Sequence, residues 1–302
     1  MPELPDLTVY IEALTARVVG APCLAATAVS PFVLRSVDPP LPALVGRRVQ
    51  GVRRIGKRIV VVFDGDHFLV IHLMIAGRLQ WSPAGPKPLK VNRRLMLALF
   101  TFPAGTLVLT EAGTTKRASL HVVRGADALE AFARGGLEPL TITETAFAER
   151  LRSENHTLKR ALTDPRLFAG IGNAYSDEIL HAARLSPLQL TGRMTDEEVT
   201  RLFAAVRALL AEWTDRLRRD TGDAWPAKVT AFRDDMAVHG KFRKPCPACG
   251  SPVQRIRYAS NETNYCPTCQ TGGRLLADRG LSRLLKQDWP RSLDEMEEMI
   301  HR

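Results

Sequence analysis

Four cysteines, Cys246, Cys249, Cys266 and Cys269, follow the spacing Cys-x2-Cys-x16-Cys-x2-Cys near the end of a 302-residue chain. Two tight knuckles of this kind bring four thiolates into a tetrahedron, which holds one structural zinc and leaves no coordination position open. A single Cys-x-x-Cys could instead do redox chemistry, and the second copy favours metal. The zinc would hold a β-hairpin whose tip spans roughly Tyr258–Thr263. Cys23 stands alone and reads as a buried core thiol.

The opposite end, Met1-Pro2-Glu3-Leu4-Pro5, permits a different chemistry. A small second residue favours removal of the initiator Met, which would leave Pro2 as the terminal amine. An α-amine titrates near 8, against about 10.4 for lysine, so far more of it is unprotonated at neutral pH. A secondary amine that attacks a sugar C1′ forms an iminium, which cannot shed its charge and so persists as an electron sink. Glu3 could handle protons. Taken alone, the pentapeptide has a plainer reading as the N-cap of a first helix.

Gly170-Ile171-Gly172-Asn173 feeds two glycines into a helix start, where exposed N–H groups and the helix dipole suit a phosphate. Tight packing is the bland alternative. The net charge of +10 raises the expectation of a polyanionic partner. Arg47, Arg48, Arg53, Arg54, Lys57 and Arg58 form one acid-free run, and Lys241, Arg243, Lys244, Arg255 and Arg257 a second, like walls of a groove. Composition excludes a disordered chain, and no apolar run reaches the roughly 18 residues of a membrane span. A cytoplasmic protein is expected.

These residues need elements to hold them. Leu7, Tyr10, Ile11, Leu14 and Val18 recur at helical spacing after Pro5, and Gly20 can end that helix. From about residue 24 to 123 the texture is that of strands, with Arg58–Phe63, Phe68–Leu73, Leu95–Thr101 and Thr106–Thr110 as clear members. The expectation is a β-sandwich or barrel with a helix attached. After Gly135-Gly136 the pattern turns helical, and Thr195 with Glu198 opens the clearest helix as a capping box.

In order along the chain stand the N-terminal pentapeptide, Lys57 in a Gly-Lys turn, and His72-Leu73 with Gly77-Arg78-Leu79. Gly-Ile-Gly-Asn-x-Tyr-x-x-Glu (Gly170–Glu178) and the four-cysteine finger follow. This set resembles the formamidopyrimidine-DNA glycosylase / endonuclease VIII (Fpg/Nei) family over about residues 2–270. The resemblance implies an α+β fold: an N-terminal β-sandwich catalytic domain (2–130), a helix-two-turn-helix DNA-binding domain (140–238), a zinc finger (239–270) and a helical C-terminal extension (271–302). It implies a bifunctional DNA glycosylase and abasic-site lyase of base excision repair, a monomer acting on damaged DNA at the nucleoid, with zinc and no small-molecule cofactor. Pro2 then matches the Schiff-base nucleophile and Glu3 the proton-handling acid. Lys57, His72 and Asn173, with Gly172 beside it, match residues that grip the phosphates around a flipped nucleotide.

Several positions depart from the family pattern. Asn261 stands where the finger carries a phosphate-clamping Arg, and Arg257, about 13 Å away along an extended strand, is an imperfect substitute. Ile75 replaces the Met that wedges into the duplex. Glu111-Ala112-Gly113-Thr114-Thr115-Lys116-Arg117 replaces the gap-filling loop and lacks its aromatic, leaving Lys116 and Arg117 to meet DNA. Asp6 stands where Glu is common, and the segment near Asp220–Asp235 does not match the loop that covers 8-oxoguanine. Two rivals remain: a damaged-DNA-binding family member with little glycosylase activity, and a zinc-ribbon protein of transcription or translation.

Overall fold

Leu7, Tyr10, Leu14 and Val18 are fully buried along one face of helix α1 (Leu4–Val18) in the computed structural model, with Pro5 in the first turn, where its missing N–H is not needed. The structure describes residues 1–85, 91–227, 229–230, 232–258, 261–277 and 289–300. It divides into two units, Met1–Arg134 with Trp213–Thr230, and Gly135–Glu212 with Ala231–Arg302.

The first unit carries strands β1 (Ala25–Ala28), β2 (Val49–Ile55), β3 (Arg58–Phe63), β4 (His67–His72), β5 (Gly77–Pro83), β6 (Met96–Phe102), β7 (Gly105–Glu111) and β8 (Ser119–Arg124). They form two four-stranded antiparallel sheets, in the orders β1-β6-β7-β5 and β2-β3-β4-β8, so the fold is a sandwich and not a barrel. Alternation decides which side chains meet. Ile59, Val61, Phe63, Leu69 and Ile71 face Leu79, Phe100, Leu107 and Leu109 in the shared core with α1. Val60, Phe68 and Val70 point to the outer face, where Leu129 of α2 (Ala126–Glu130) covers them.

Two of the expected strands are displaced by one residue. β4 stops at His72 because the carbonyl of Leu73 turns to accept from Gly77 N at 2.9 Å, and β6 starts at Met96 because Leu95 closes a 3-10 turn. The sequence gives no sign that residues 223–230 belong to this unit. Trp225 stacks against Trp81 at 6.1 Å, lies 5.6 Å from Tyr10 and donates its indole N–H to Leu79 O at 2.9 Å.

The second unit holds α3 (Glu144–Arg152), α4 (Leu158–Thr163), α5 (Asn173–Ala182), the hairpin β9 (Gln254–Tyr258) and β10 (Asn261–Tyr265), α7 (Pro267–Thr271), and helix α6 (Asp196–Thr221) as far as Glu212. The expected capping box opens α6: Thr195 N donates to Glu198 Oε2 at 3.1 Å, and Glu198 N to Thr195 Oγ1 at 3.2 Å. Within the C-terminal stretch Leu293–Ile300 is a helix, while residues 278–288 and 301–302 lie outside the described residues. Among the described residues no helix is long and apolar enough to cross a membrane.

Candidate functional site

Glu3 caps α1, its N–H donating to Asp6 Oδ2 at 3.0 Å, and both carboxylates are buried, at 3% and 1% exposure. The plain N-cap reading therefore holds, and it does so in a way that places two acids beside the chain's first amine. Burial lowers that amine's pKa below the usual 8; Arg78 and Lys57 act in the same direction, while Glu3 and Asp6 oppose them. Pro2, next in the chain, is buried. That amine is Met1's, half-buried among two acids and two cations, and removal of Met1 would put Pro2 N in its place as the chain's terminal amine.

Lys57 occupies the β2–β3 turn, where Gly56 takes φ 56°. The antiparallel register sets the next residue, Arg58, opposite His72. Burial, then Arg58 and Lys57, push the His72 imidazole down to about 4. His72 is thus neutral at pH 7, and any contact it makes with phosphate is a hydrogen bond without charge.

Ile75 sits at the apex of the turn after β4 and is 62% exposed. The turn is rigid. Arg78 donates to Ile75 O at 3.0 Å and Gly77 O at 2.7 Å, and a Cβ at Gly77 would fall 2.2 Å from Leu73 O. A Cβ on Gly113 would rest 3.6 Å from Ala76 Cβ, so the 111–117 loop lies against this turn. The loop closes on buried Glu111, whose Oε2 accepts from Arg117 N at 2.9 Å and Ala118 N at 3.1 Å. The ammonium of Lys116 turns back onto Glu111 O. Arg117 alone of the basic pair is exposed.

In the second unit Gly170, at φ 83°, and Gly172, the N-cap, lead into α5. Asn173 donates from Nδ2 to Glu262 O of β10 at 2.8 Å, so its amide is tied to the hairpin. Lys159 Nζ binds Asn173 O at 2.7 Å and Asp177 Oδ1 at 2.5 Å. Behind them Asp177 Oδ2 meets His239 Nδ1 at 2.8 Å, and the Glu178 carboxylate accepts from the amides of Ala237, Val238 and His239 at 2.7, 2.8 and 2.8 Å. Of these two acids the sequence flagged only Glu178, as a motif position, and gave no sign of either's partners.

The Sγ atoms of Cys246, Cys249, Cys266 and Cys269 all lie within 4.8 Å of one another. Cys246–Cys269 measures 3.9 Å and Cys249–Cys266 3.4 Å. A tetrahedron with Zn–S of about 2.3 Å has edges of roughly 3.8 Å, so four thiolates fit one structural zinc. His181 Nε2 lies 3.2 Å from Cys246 Sγ and can orient that ligand from outside. At the hairpin tip, Ala259 and Ser260 lie outside the described residues.

The hairpin corrects one expectation. Its register pairs Glu262 with Arg257 and Asn261 with Tyr258, so the Arg257 backbone lies one position from Asn261 across the strands and not 13 Å away along one, with its side chain on the Glu262 face. Glu262 holds both Arg255, at 3.1 Å, and Arg257, at 3.8 Å. The first basic run is not a single wall either: Arg47, Arg48 and Arg54 donate to the carbonyls of Ala43, Gly20 and Gly56.

Comparison with known proteins gives three matched families along the chain. Residues 1–112 match the formamidopyrimidine-DNA glycosylase N-terminal domain, 136–218 the formamidopyrimidine-DNA glycosylase H2TH domain, and 243–272 the zinc finger found in FPG and IleRS. The formamidopyrimidine-DNA glycosylase of Thermus thermophilus is 34% identical over 285 residues, covering 90% of this chain and 100% of that protein. A Mycobacterium tuberculosis protein, an uncharacterized formamidopyrimidine-DNA glycosylase-like protein, is 40% identical over 151 residues, covering 50% of this chain and 94% of its own. Among solved structures, a complex of the LlFpg protein with a THF-DNA and an inhibitor superposes with a TM-score of 0.77 at 25% identity, covering 89% of this chain and 100% of that one.

Proposed function

The chain belongs to the formamidopyrimidine-DNA glycosylase family, and we propose that it is bifunctional, removing oxidised or ring-opened bases and then cutting the abasic site through its own N-terminal proline. As a DNA glycosylase of that family it serves base excision repair. The observation that carries the finer reading is the buried pair Glu3 and Asp6 at the start of α1, next to a Pro2 that is itself buried.

In this reading Met1 is removed and Pro2 N attacks C1′, forming the N–C1′ bond as the base departs. Glu3 protonates O4′ as the sugar ring opens, and the iminium accepts electrons while loss of a C2′ proton expels the 3′ phosphate. A second elimination expels the 5′ phosphate. Lys57, His72, Gly172 and Asn173 hold the flanking phosphates, with Arg257 and Asn261 at the finger, Ile75 and Arg117 facing the opened stack, and Lys116 bracing the loop through Glu111 O. Residues 2–130 serve as the catalytic part, 140–238 and the 239–270 finger grip DNA, and 271–302 extend them. The protein acts as a monomer on chromosomal DNA in the cytoplasm, without a small-molecule cofactor.

Borohydride should trap a covalent adduct with abasic DNA. Only the unprotonated amine attacks, so trapping should rise with pH to a plateau. A protein that keeps Met1 or bears an N-terminal tag should trap nothing. Equal trapping by the blocked protein would move the nucleophile, with Lys57 the next amine in line. Binding of abasic DNA without any cutting would favour the damaged-DNA-binding alternative.

The lesion preference follows from the loops. Aromatic stacking is worth about 1–3 kcal/mol per base, and neither Ile75 nor Arg117 supplies a ring. Duplex 8-oxoguanine opposite cytosine should therefore be cut more slowly than an abasic site, in duplex or single strand. Single-turnover assays that find duplex 8-oxoguanine cut fastest would overturn this.

A further inference from the structure

On the outer face of sheet β2-β3-β4-β8 the fold gathers cations that are scattered in sequence. Arg58 and His72 stand opposite each other, and His121 pairs with Val70 on the neighbouring strand, so all three side chains leave the same face. Arg35 runs beside β8, its N–H donating to Leu120 O at 2.8 Å, which sets it next to His121. Phe132 forms the floor: the Arg58 guanidinium lies 5.7 Å above its ring, and His121 meets it edge-on at 4.9 Å. Arg134 follows two residues later and is exposed, as Arg35 is.

The group is all of one sign. Elsewhere exposed arginines find acids, as Arg218 does with Glu12 and Arg152 with Asp196. Arg35, Arg58, His72, His121 and Arg134 have no carboxylate partner among the described residues. His121 Nδ1 is buried without a hydrogen-bond partner. Mutual repulsion adds to burial in lowering the pKa of Arg58, His72 and His121. A protein keeps such an arrangement at a cost to its own stability, and an anion placed on it relieves both repulsion and desolvation.

We propose that this face is a second DNA-backbone site, in which Arg35, Arg58, His121 and Arg134 extend the Lys57–His72 phosphate contacts along the strand that flanks the lesion. The inference rests on the proposed function for its partner, and its ligand chemistry is the phosphodiester.

The test compares the wild type with an Arg35→Gln, Arg134→Gln double variant, both residues being exposed and away from the reacting atoms. Affinity for a duplex carrying a stable abasic analogue is measured between 50 and 200 mM salt. Losing two phosphate contacts should flatten the slope of log affinity against log salt by about 1.8, so the variant loses about tenfold less affinity over that range. An Arg152→Gln, Arg218→Gln variant carries the same charge change and should keep the wild-type slope. Shortening the duplex on one side of the lesion should erase the difference between wild type and the first variant. An unchanged slope, or an equal change in the control, overturns the proposal. Cleavage under saturating single-turnover conditions should not change. A wild type that binds with the expected slope but never cuts refutes the proposed function and leaves this site standing.

Discussion

The 111–117 loop and the β9–β10 hairpin both depart from the pattern of their family, and the fold answers the two departures differently. In the loop an aromatic is missing, and nothing takes its place. Glu111 gathers the amides of Arg117 and Ala118, Lys116 folds back on Glu111 O, and the loop satisfies itself. In the hairpin a cation is missing from position 261, and antiparallel pairing brings Arg257 to within one position of it across the strands, on the face it shares with Glu262. Charge acts over several ångströms and tolerates such a move. Stacking needs a ring in one plane, and residues 111–117 contain none. On the proposed function, the hairpin keeps a cation within reach of its tip, whereas residues 111–117 keep no ring to fill an opened stack.

The strongest way to break this contrast is to remove the hairpin. Chelation of zinc, or Cys266→Ala, takes away ~10 kcal/mol or more of metal-linked folding free energy from a small unit. DNA affinity should fall at least about a hundredfold, with the unfolding midpoint of the first unit unchanged; retained affinity would show that the hairpin is not the grip. Next in size, Glu111→Ala leaves two amides without their carboxylate, while Lys116 keeps its backbone acceptor. The expected loss is about 2–3 kcal/mol, read from the urea midpoint, with zinc content unaltered. A midpoint that does not move would mean that the loop is closed by something other than Glu111. The smallest and sharpest comparison sets Arg257→Ala against Arg117→Ala. Both are exposed, so each should weaken binding by only about 1 kcal/mol, with Arg257 the larger. If Arg117 proves larger, the loop and not the hairpin has recovered the lost contact.

Much of this was legible in the sequence because it is periodic or local. The helical spacing from Leu7 to Val18, the Thr195–Glu198 capping box and the cysteine spacing each write a structure into a few neighbouring positions. The remainder depends on residues brought together from afar. Glu111 is one acid at a strand end, with no period to mark it. Trp225 is a single aromatic in a polar stretch, and only the fold reveals Trp81 and Tyr10 waiting for it. Arg35, Arg58, His121 and Arg134 form a surface because sheet order places them there, whereas the dense run from Arg47 to Arg58 spends several members on backbone carbonyls. Density of charge along a chain was a poor guide to density in space.

The buried acids of α5 also bear on how the molecule is made. Glu178 finds its three amides about 60 residues further on, and Asp177 finds its imidazole in the same short segment. At about 5–20 residues per second, a ribosome needs roughly 3–12 s to deliver that segment after α5 has been completed. Through that interval two carboxylates destined for the interior stay hydrated, and α5 cannot be sealed. A chain released before His239 would have to bury Glu178 without its amides, and Asp177 with Lys159 but without its imidazole, or remain open. The second unit thus closes only on a product whose synthesis has passed the threshold of the finger, and truncated copies stay exposed to the proteases that clear them.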